Sequence, residues 1–429
     1  MLQMLRVVTS PTRASHINLS TSHLSPLTSY LSPLTSHLSP LTSRYMNTQN
    51  TPVHVNLWHK DFWLVVVADL LLSMSVTMLI PTLPRWMMFV DGLTEVETGI
   101  SMGAFAVGLF LLGGFSSYLV QRYRRNMVCV WAALALALSL VLPIYFGPMS
   151  LEWVVAMRLA QGATYGLALM VLTSTLVIDT CESNHRTEAN FSATWFGRFA
   201  LSLGPTAGLL LLDHLGMDML LYVAAGCCVL AVLLVLMVHI PFRVPKDHFP
   251  VFCLDRFFLT RGWAMFIELL LIMASVGMML ALSRNVTFYA LMMIGFMLAL
   301  LAQRFVFPDA ELKSEVVTGL IVMLAVLLIM LYAPTSVLQA PLLGFSLGIV
   351  GSRFLLFFIK LSDHCQRGTA QSTYLLGWES GLAIGVGMGY ACFDGNRNAL
   401  LQVATVLVLV ALAMYSLLLH QWFVDHKKR

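Results

Sequence analysis

Six ionisable residues lie inside long apolar stretches of this 429-residue chain, where charges are rare. They are three acids and three arginines: Asp69, Glu268, Glu379, Arg158, Arg198 and Arg353. A charge at the bilayer centre costs roughly 2.5–3.5 kcal/mol on insertion scales, so such residues usually face a bundle interior or a water-filled cavity. Because acids and bases are equal in number, internal pairing is expected. Carboxyl groups in such places are candidate proton carriers, so Asp69, Glu268 and Glu379 are the predicted proton-coupling residues.

The stretches that hold these charges are long enough to cross a membrane. The chain is 58% hydrophobic and 11% charged, which excludes an ordinary soluble globular protein. A membrane helix needs about 20 apolar residues. Twelve runs approach or exceed that length, at about 62–80, 96–119, 127–146, 151–178, 188–212, 217–240, 263–282, 286–307, 316–333, 337–361, 369–392 and 399–423. The predicted fold class is an all-α integral membrane protein with twelve transmembrane helices.

Lysines and arginines between the runs predict the orientation. Sixteen of them fall on the side that holds both chain ends, and three fall on the other side. Positive residues concentrate in cytoplasmic loops, so both termini are expected in the cytoplasm. The chain is interpreted as a multi-pass protein of the bacterial inner membrane.

The chain divides into four segments. Residues 1–45 repeat a Ser/Pro/Thr-rich heptapeptide three times, and its prolines exclude a continuous helix, so a disordered tail is expected. Met46 follows directly, and our hypothesis is that translation starts there; the alternative is a genuine flexible tail. Residues 46–240 and 263–429 are predicted to form two six-helix bundles, joined by a cytoplasmic loop at 241–262.

The two predicted bundles are related in sequence. At a constant offset of 181 residues, the polar flanks and the glycines of the fifth and eleventh runs match. This indicates two pseudo-symmetric bundles about an axis along the membrane normal. The matched pairs are Arg186 with Arg367, Arg198 with Glu379, Gly204 with Gly385 and Gly208 with Gly389.

Two motifs stand inside the fourth and fifth runs. The fourth run holds RLAQGATYG, with Arg158, Gln161 and Gly162, and the fifth holds GPxxG at Gly204, Pro205 and Gly208. Both resemble motifs of the major facilitator superfamily, RxxQGxxxG and GPxxG, and the second is associated in the family with antiporters. The resemblance spans about residues 57–424, and in these motifs the chain is similar to bacterial drug/proton antiporter-like members.

A third motif, between the second and third runs, is a degenerate form of the family's GxLaDrxGrR. Ser117 replaces its first glycine and Gln121 replaces its aspartate, while Arg122 and Arg125 keep its basic character. In the family, the aspartate belongs to a charge network that holds the outward-facing state. Since Gln121 carries no charge, a latch here must be weaker or differently built.

The resemblance suggests which of the buried charges could meet. Glu268 and Arg353 lie at similar depths on two helices that line the cavity in the family, so they could pair directly. Asp69 and Arg158 differ in height by roughly 10 Å at 1.5 Å of rise per residue, so a direct salt bridge between them is not expected. Any coupling of these two must pass through Gln161 or water.

Near mid-membrane, Arg198 and Glu379 are candidates for a substrate site or a gate. Trp195 and Trp378 flank them, and could stack on flat apolar substrates or serve in packing. The predicted cavity and charge network therefore comprises Arg158, Gln161, Arg198, Arg353, Trp195 and Trp378. The motif residues expected to serve conformational change are Gly162, Gly204, Pro205, Gly208, Arg122 and Arg125.

Other chemistry finds no support in the sequence. The seven cysteines form no CxxC pair, so neither a metal site nor a disulfide framework is predicted. The chain contains no Walker loop, HExxH or GxSxG motif, so no enzyme and no cofactor is expected. No nucleic acid partner is expected either.

The function that fits is secondary transport by alternating access. The favoured hypothesis is proton-coupled efflux of small, partly hydrophobic molecules, with the lipid bilayer, substrate and protons as partners and a monomer as the working unit. One alternative is an importer of a sugar or organic anion, in which Arg198 and Arg353 would bind a carboxylate. A different class of function is a transport-inactive membrane sensor or scaffold.

Overall fold

The computed structural model describes residues 57–182, 185–239, 250–307, 311–393 and 395–428. The predicted tail at 1–45, Met46 and much of the predicted loop at 241–262 lie outside these residues. The described residues fold into helices and short connections, with no strand among them. The fold is therefore all-α, as the apolar runs predict.

Long helices account for nearly all of this structure. In chain order the described residues form α1 Lys60–Phe89, α2 Glu95–Arg122, α3 Arg125–Phe146, α4 Leu151–Asp179, α5 Arg186–Met237, α6 Thr260–Leu282, α7 Val286–Phe305, α8 Leu312–Tyr332, α9 Gln339–Leu361, α10 Arg367–Ala391 and α11 Arg397–His426.

Helix α5 is 52 residues long and consists of two arms that meet at Gly216. Gly216 has φ 83° and ψ 176°, a conformation that strains any residue with a Cβ atom, so glycine permits the break. The arms, 186–215 and 217–237, hold the fifth and sixth apolar runs. Within the described residues, ten helices are long and apolar enough to cross a membrane, with α5 counted once and α10 not among them. The count of twelve spans stays a prediction.

The helices pack in two halves with the same internal pattern. In the first half, residues 57–239, α1 packs on the first arm of α5, α2 on α4, and α3 on both α4 and α5. In the second half, residues 260–428, α6 packs on α10, α7 on α9, and α8 on both α9 and α11. Each pair in one half thus has a counterpart in the other, which is the pseudo-symmetry that the 181-residue offset predicts.

The glycines of the repeat explain how equivalent helices pack. A Cβ atom at Gly204 or Gly208 would collide with α1, at Thr77 and Met78 respectively. The equivalent Gly385 on α10 meets Ala274 on α6 in the same way. Small residues at these positions let helix backbones approach closely, which stabilises association inside a bilayer.

The two halves meet along two lines of contact. Helix α2 packs on α10, and α5 packs on α7. These two contacts are themselves related by the repeat. Between them lies the central cavity described below, which two acids and an arginine face.

Candidate functional site

A narrow cavity lies between the two halves. It has room for about one water molecule, so the helices must move before a larger molecule can enter. The first half contributes α1, α4 and α5, and the second half contributes α10. The lining residues are Asp69, Ser73, Leu169, Thr173, Thr194, Gly197, Arg198, Gln371, Tyr374, Leu375, Trp378 and Glu379.

Two carboxyl groups, one from each half, face this cavity. Asp69 on α1 is buried, and its Oδ1 has no hydrogen-bond partner among the described residues. Glu379 on α10 is close enough for the two negative charges to repel each other, and it also interacts with the Tyr165 hydroxyl. The Tyr165 hydroxyl donates to Ser73 Oγ at 3.4 Å. Two carboxyl groups thus face one confined space from opposite halves.

Arg198 joins the two halves at the edge of the same cavity. From α5 it donates through Nη1 to Ser352 Oγ at 2.7 Å and through Nη2 to the Tyr374 hydroxyl at 3.1 Å. Its guanidinium lies 4.8 Å from the ring centroid of Trp195 and 5.8 Å from that of Trp378. Aromatic faces and hydroxyls thus hold this buried cation, and its Nε has no partner among the described residues.

The two predicted tryptophans have different surroundings. Trp378 lines the cavity, whereas Trp195 is fully buried against Phe199 and Phe296 and is not part of the lining. Stacking on a substrate is therefore open to Trp378. Trp195 packs its ring on the Arg198 guanidinium without lining the cavity.

Arg158 lies apart from the cavity, as its height on α4 predicts. Its Nη1 donates to Gln161 Oε1 at 2.9 Å, and its guanidinium lies 4.7 Å from the centroid of the Phe105 ring. Gln161 in turn donates to the Ser139 carbonyl on α3 at 3.1 Å. Gln161 thus ties α4 to α3 and makes no hydrogen bond to Asp69 in this structure, so coupling of Arg158 to Asp69 through Gln161 or water stays a prediction.

The expected pairing of Glu268 with Arg353 is wrong. Arg353 on α9 forms a buried ion pair with Glu315 on α8. Neither Glu268 nor Arg353 lines the central cavity. Glu315 was missed because it stands at the first turn of α8, one residue before the apolar run. An arginine buried nearby is the signal that could have drawn attention to it, since buried charges are normally paired.

Several hydroxyl and amide residues of the cavity were also missed. Ser73 follows Asp69 by one helical turn, and Thr194 precedes Arg198 by one turn. Gln371 donates from α10 to Thr194 Oγ1 at 2.7 Å, which links the two halves. Spacing by four residues from a buried charge is the signal that could have found Ser73 and Thr194, because such residues share a helix face.

The glycines of the two family-like motifs act in packing. A Cβ atom at Gly162 would collide with the Phe105 carbonyl on α2. Cβ atoms at Gly204 and Gly208 would likewise collide with α1. Pro205 lies inside α5 between the latter two. These residues bring α4 against α2 and α5 against α1, on either side of the cavity.

The loop between α2 and α3 is built differently from the family pattern. Arg125 forms an ion pair with Asp179 at the end of α4, and Arg122 lies over the Tyr118 ring at 5.9 Å. Arg256, from the segment before α6, lies near this pair. Its burial lowers the pKa of its guanidinium, the nearby Arg125 lowers it further, and Asp179 partly offsets both. Asp179 is thus the acid that pairs with these basic residues. It is not at the motif position of the family's aspartate, which Gln121 occupies.

The helix ends fall on two sides, which we name by charge. The basic end carries Lys60, Arg125 and Arg186, and the opposite end carries Arg85 and Arg284. Each is closed in this structure, in a different way.

At the opposite end, α2 and α10 touch along a seam of small residues, formed by Gly99, Gly103, Gly387 and Ala391. A Cβ atom on Gly99 would lie 2.5 Å from both the Ala391 amide nitrogen and the Gly387 carbonyl oxygen. A Cβ atom on Gly387 would lie 2.8 Å from the Gly99 carbonyl oxygen. Backbone therefore meets backbone here, with no room for a side chain at Gly99 or Gly387.

At the basic end, the segment 250–262 lies across α2 and α10, and we call it the strap. Phe257 packs its ring against Gly113 and Phe110, and Phe252 packs against Gly114. The Cys253 amide donates to the Gly114 carbonyl at 2.9 Å. These contacts hold the strap to α2.

Hydrogen bonds hold the other side of the strap to α10. The Leu259 amide donates to Thr373 Oγ1 at 2.7 Å, and Thr369 donates to the Asp255 carbonyl. The strap thus joins α2 to α10 at the basic end, as the seam joins them at the opposite end.

Comparisons with known proteins agree with this architecture. A sequence profile described as Major Facilitator Superfamily matches residues 65–386, which is more than half of the chain. A search of curated proteins found no match.

Three solved structures share the fold. The human organic anion transporter MFSD10 (TETRAN) aligns with a TM-score of 0.61 and 17% identity, over 82% of this chain and 98% of that one. The nucleoside transporter NupG aligns with a TM-score of 0.58 and 14% identity, over 83% of this chain and 99% of that one. A mutant of NupG aligns with a TM-score of 0.59 and 15% identity, over 87% of this chain and 100% of that one. At such identities the likeness shows the fold alone.

Proposed function

The chain belongs to the major facilitator superfamily, and on that premise we propose that it is a proton-coupled secondary transporter that exports small, partly hydrophobic molecules by alternating access. One observation carries the proposal: Asp69 and Glu379, from different halves, face one cavity beside Arg198. A site shared by two halves is remade whenever the halves rock. Its protonation and its exposure can therefore be coupled.

The charges of the cavity suggest how protons and substrate compete. With Arg198 charged and both carboxyl groups ionised, the three groups carry a net charge of −1. One proton brings the sum to zero, and a second brings it to +1. A cationic or strongly hydrogen-bonding substrate is favoured by the ionised state, and protonation displaces it, which is the exchange that proton-driven export requires.

The lining supports a substrate that is partly hydrophobic. Leu169, Leu375 and the Trp378 ring offer apolar surface, while Ser73 and Gln371 offer hydrogen bonds. Pockets that bind small organic molecules commonly combine a mostly apolar wall with a few polar groups. Since one chain supplies the whole lining, a monomer suffices for the proposed site.

Direction and orientation belong to the same proposal. Export rests on Gly204, Pro205 and Gly208, which resemble the family's antiporter element and pack α5 on α1. The excess of positive residues at the basic end favours a cytoplasmic location for that end in a bacterial inner membrane. The strap would then close the cytoplasmic side and the seam the outer side.

The test is accumulation of a panel of dyes and antibiotics in an efflux-deficient bacterium, with and without a protonophore. Cells producing the wild-type protein should accumulate less of a transported compound, and the protonophore should abolish the difference. Asp69→Asn and Glu379→Gln should each behave like cells without the transporter. Glu152→Gln is the matched control, because Glu152 is an exposed carboxyl in the first turn of α4.

Equal membrane amounts of all variants must be verified by immunoblot. If both cavity variants export as well as the wild type, the carboxyl groups do not carry the coupling protons and the proposal fails. If no compound is exported by the wild type, export itself is excluded for that panel and the second candidate gains weight.

The second candidate is import of an organic anion, which one observation favours. The Nε of Arg198 is buried without a partner, so an anionic group could bind there. The predicted second anion ligand, Arg353, is held by Glu315 and is not available. Uptake of a labelled carboxylate that Arg198→Met abolishes would support import, and uptake unaffected by that change would exclude it.

A further inference from the structure

Two buried amide side chains lie at equivalent positions of the repeat, Asn190 on α5 and Gln371 on α10, again 181 residues apart. Neither residue has any exposed surface. Three of their polar atoms, Asn190 Nδ2, Asn190 Oδ1 and Gln371 Oε1, have no hydrogen-bond partner among the described residues. Buried polar atoms are normally paired, because leaving them unpaired is costly. These two amides, one from each half, are therefore candidates for binding a ligand that supplies the missing bonds.

A hydrogen bond between the halves fixes the orientation of the Gln371 amide. The Thr194 hydroxyl donates its only proton to the Asn190 backbone carbonyl at 2.8 Å. Towards Gln371, at 2.7 Å, this hydroxyl can therefore only accept, so the amide nitrogen of Gln371 must face it. This leaves Gln371 Oε1 as an unpaired acceptor of fixed position, on a residue that lines the central cavity.

Asn190 continues the cavity-lining face of α5 towards the basic end. At about 100° per residue, it lies between Thr194 and Gly197 on the circumference of the helix, and both of these line the cavity. Asn190 stands two turns, about 12 Å, from Arg198, and Gln371 stands equally far from the matching residue of α10. The two amides thus lie at similar depths, on the basic side of the central charges.

A π-helical turn of α4 forms a third wall at this depth. Residues Leu172–Leu176 form the turn, and Thr173 within it lines the cavity. The turn packs directly on α10: a Cβ atom at Gly368, one turn before Gln371, would lie 2.5 Å from the Ser174 carbonyl oxygen. Turns of this kind are rare inside α-helices and are frequent at functional sites. Three helices, drawn from both halves, therefore surround the Gln371 amide.

The chemistry of these side chains indicates an uncharged ligand group. None of Thr173, Asn190, Thr194 and Gln371 ionises. An anion is disfavoured because the fixed Gln371 oxygen would repel it, and an ammonium group would leave the Asn190 Nδ2 donor unpaired. A carboxamide offers two donors and one acceptor side by side, so it can pair with all three unpartnered atoms.

We propose that Asn190 and Gln371, together with Thr173 and Thr194, form a specificity subsite that binds an uncharged, carboxamide-like group of the transported molecule. The proposal rests on the proposed transport function and narrows its substrate class. Because one amide comes from each half, the subsite is complete only while the halves are together at this depth. Binding of the group therefore favours closure of the basic end.

The first experiment measures the binding of two isosteric probes to the purified full-length protein. Benzamide carries donor and acceptor side by side, and acetophenone has a methyl group in place of the amide nitrogen. Radiolabelled benzamide should bind saturably, and at least about tenfold more tightly than radiolabelled acetophenone, because acetophenone leaves the Gln371 oxygen unpaired.

Isosteric variants test the two amides separately. Gln371→Met should weaken benzamide binding at least about tenfold and leave acetophenone binding unchanged, which removes the preference between the probes. Asn190→Leu should weaken the binding of both probes, because both have a carbonyl that accepts from Asn190 Nδ2. Gln402→Met is the matched control and should bind as the wild type does, because Gln402 is exposed on α11.

The second experiment separates a loss of binding from a loss of folding. Both amide atoms of Asn190 lack a partner in the ligand-free protein. Replacing them with an apolar isostere should therefore raise the midpoint of thermal unfolding in Asn190→Leu while it lowers the affinity for benzamide. If Asn190 served only to stabilise the fold, the same substitution would lower the midpoint.

Four results would overturn the proposal. They are equal affinities of the wild type for the two probes, no saturable benzamide binding to the folded wild type, unchanged benzamide binding in Gln371→Met, and a lowered unfolding midpoint in Asn190→Leu. None of these measurements uses a proton gradient or measures export. The subsite can therefore fail while proton-coupled export stands, and export can fail while the preference for benzamide stands.

Discussion

The two ends of the bundle are closed by different kinds of contact between the same two helices. At the opposite end, α2 and α10 touch directly through the backbone of Gly99 and Gly387. At the basic end they are bridged by side chains and hydrogen bonds of the strap, chiefly Phe257 and the Leu259 amide. At Gly99 and Gly387 the seam excludes even a methyl group, whereas the strap consists of contacts that can be removed one at a time.

This difference predicts how each end opens. A backbone seam has no flexible side chain that can give way, so it separates when the helices move as rigid bodies. The strap depends on several contacts of about 1 kcal/mol each, so its closure can be weakened in steps. Substitutions at the two ends should therefore have effects of different size. Each should change the distance between α2 and α10 at its own end only.

The largest effect is expected at the seam. Gly99→Ala places a methyl group against two backbone atoms that cannot turn aside, and overpacking of this kind costs up to about 3 kcal/mol. Opening of that end should rise by about a hundredfold. Distances between spin labels on α2 and α10 at the opposite end would measure it.

The matched control for the seam is Gly103→Ala, one turn further along α2. A Cβ atom there has no neighbour within 4 Å, so the distances should not change. Equal effects of the two substitutions would mean that helix propensity, and not the backbone contact, controls closure.

A smaller effect is expected from the strap aromatics. Phe257→Ala removes a ring that is 6% exposed and pairs with Phe110 at 6.1 Å, and such pairs contribute about 0.5–1.5 kcal/mol beyond their buried area. Opening of the basic end should rise about tenfold, measured by label distances there. Phe252→Ala should do less, because Phe252 is 63% exposed. The reverse order of these two would contradict the assignment of Phe257 as the anchor.

The hydrogen bond of the strap to α10 should matter less again. Thr373→Val removes the acceptor of the Leu259 amide, which contributes about 1 kcal/mol, so opening should rise about fivefold. Thr318→Val is the control, because that hydroxyl donates to Ser314 of its own helix. No difference between the two in basic-end distances would show that this bond does not restrain the strap.

Where the sequence succeeded and failed follows the same physics. Apolar runs predict the helices, and the repeat predicts two halves with the same internal pattern, since these are local or periodic features. The predicted partner of Arg353 was wrong, because a helix that is apolar on all sides does not show which way its one polar residue points. Glu315 was overlooked for the same reason.

The strap shows a further limit of sequence-based prediction. Residues 250–262 were assigned to a connecting loop, although Phe252 and Phe257 stand in it. What these rings contact depends on how the two halves come together, and no local pattern encodes that. The sequence indicates both central carboxyl groups, Asp69 and Glu379, as candidates. It does not show that the two face the same cavity.

The smallest effect is expected from the tail at the basic end, which tests whether every contact there restrains opening. Lys428 forms an ion pair with exposed Asp363, and this hydrogen bond lowers the pKa of the Asp363 carboxyl. A lowered pKa in the folded state means a stabilisation that is present above the unfolded-state value and lost as the pH falls through the folded-state value. Solvent screens the pair, so the contribution is small.

Asp363→Asn should therefore remove a slight acid-dependent loss of thermal stability and leave the basic-end distances unchanged. Thermal unfolding of wild type and variant across acidic pH would measure the first, and spin labels the second. A large change in the distances would mean that the tail, and not only the strap, holds this end closed.

The most direct test of alternating exposure of the central cavity is to measure both ends at once. Spin labels on α2 and α10 at each end, in lipid bilayers of defined pH, report the two distances for the wild type, Gly99→Ala and Phe257→Ala. The account predicts opposite changes: Gly99→Ala opens the seam end with the strap end closed, and Phe257→Ala does the reverse. Both ends open together in either variant, or neither responding, would contradict it.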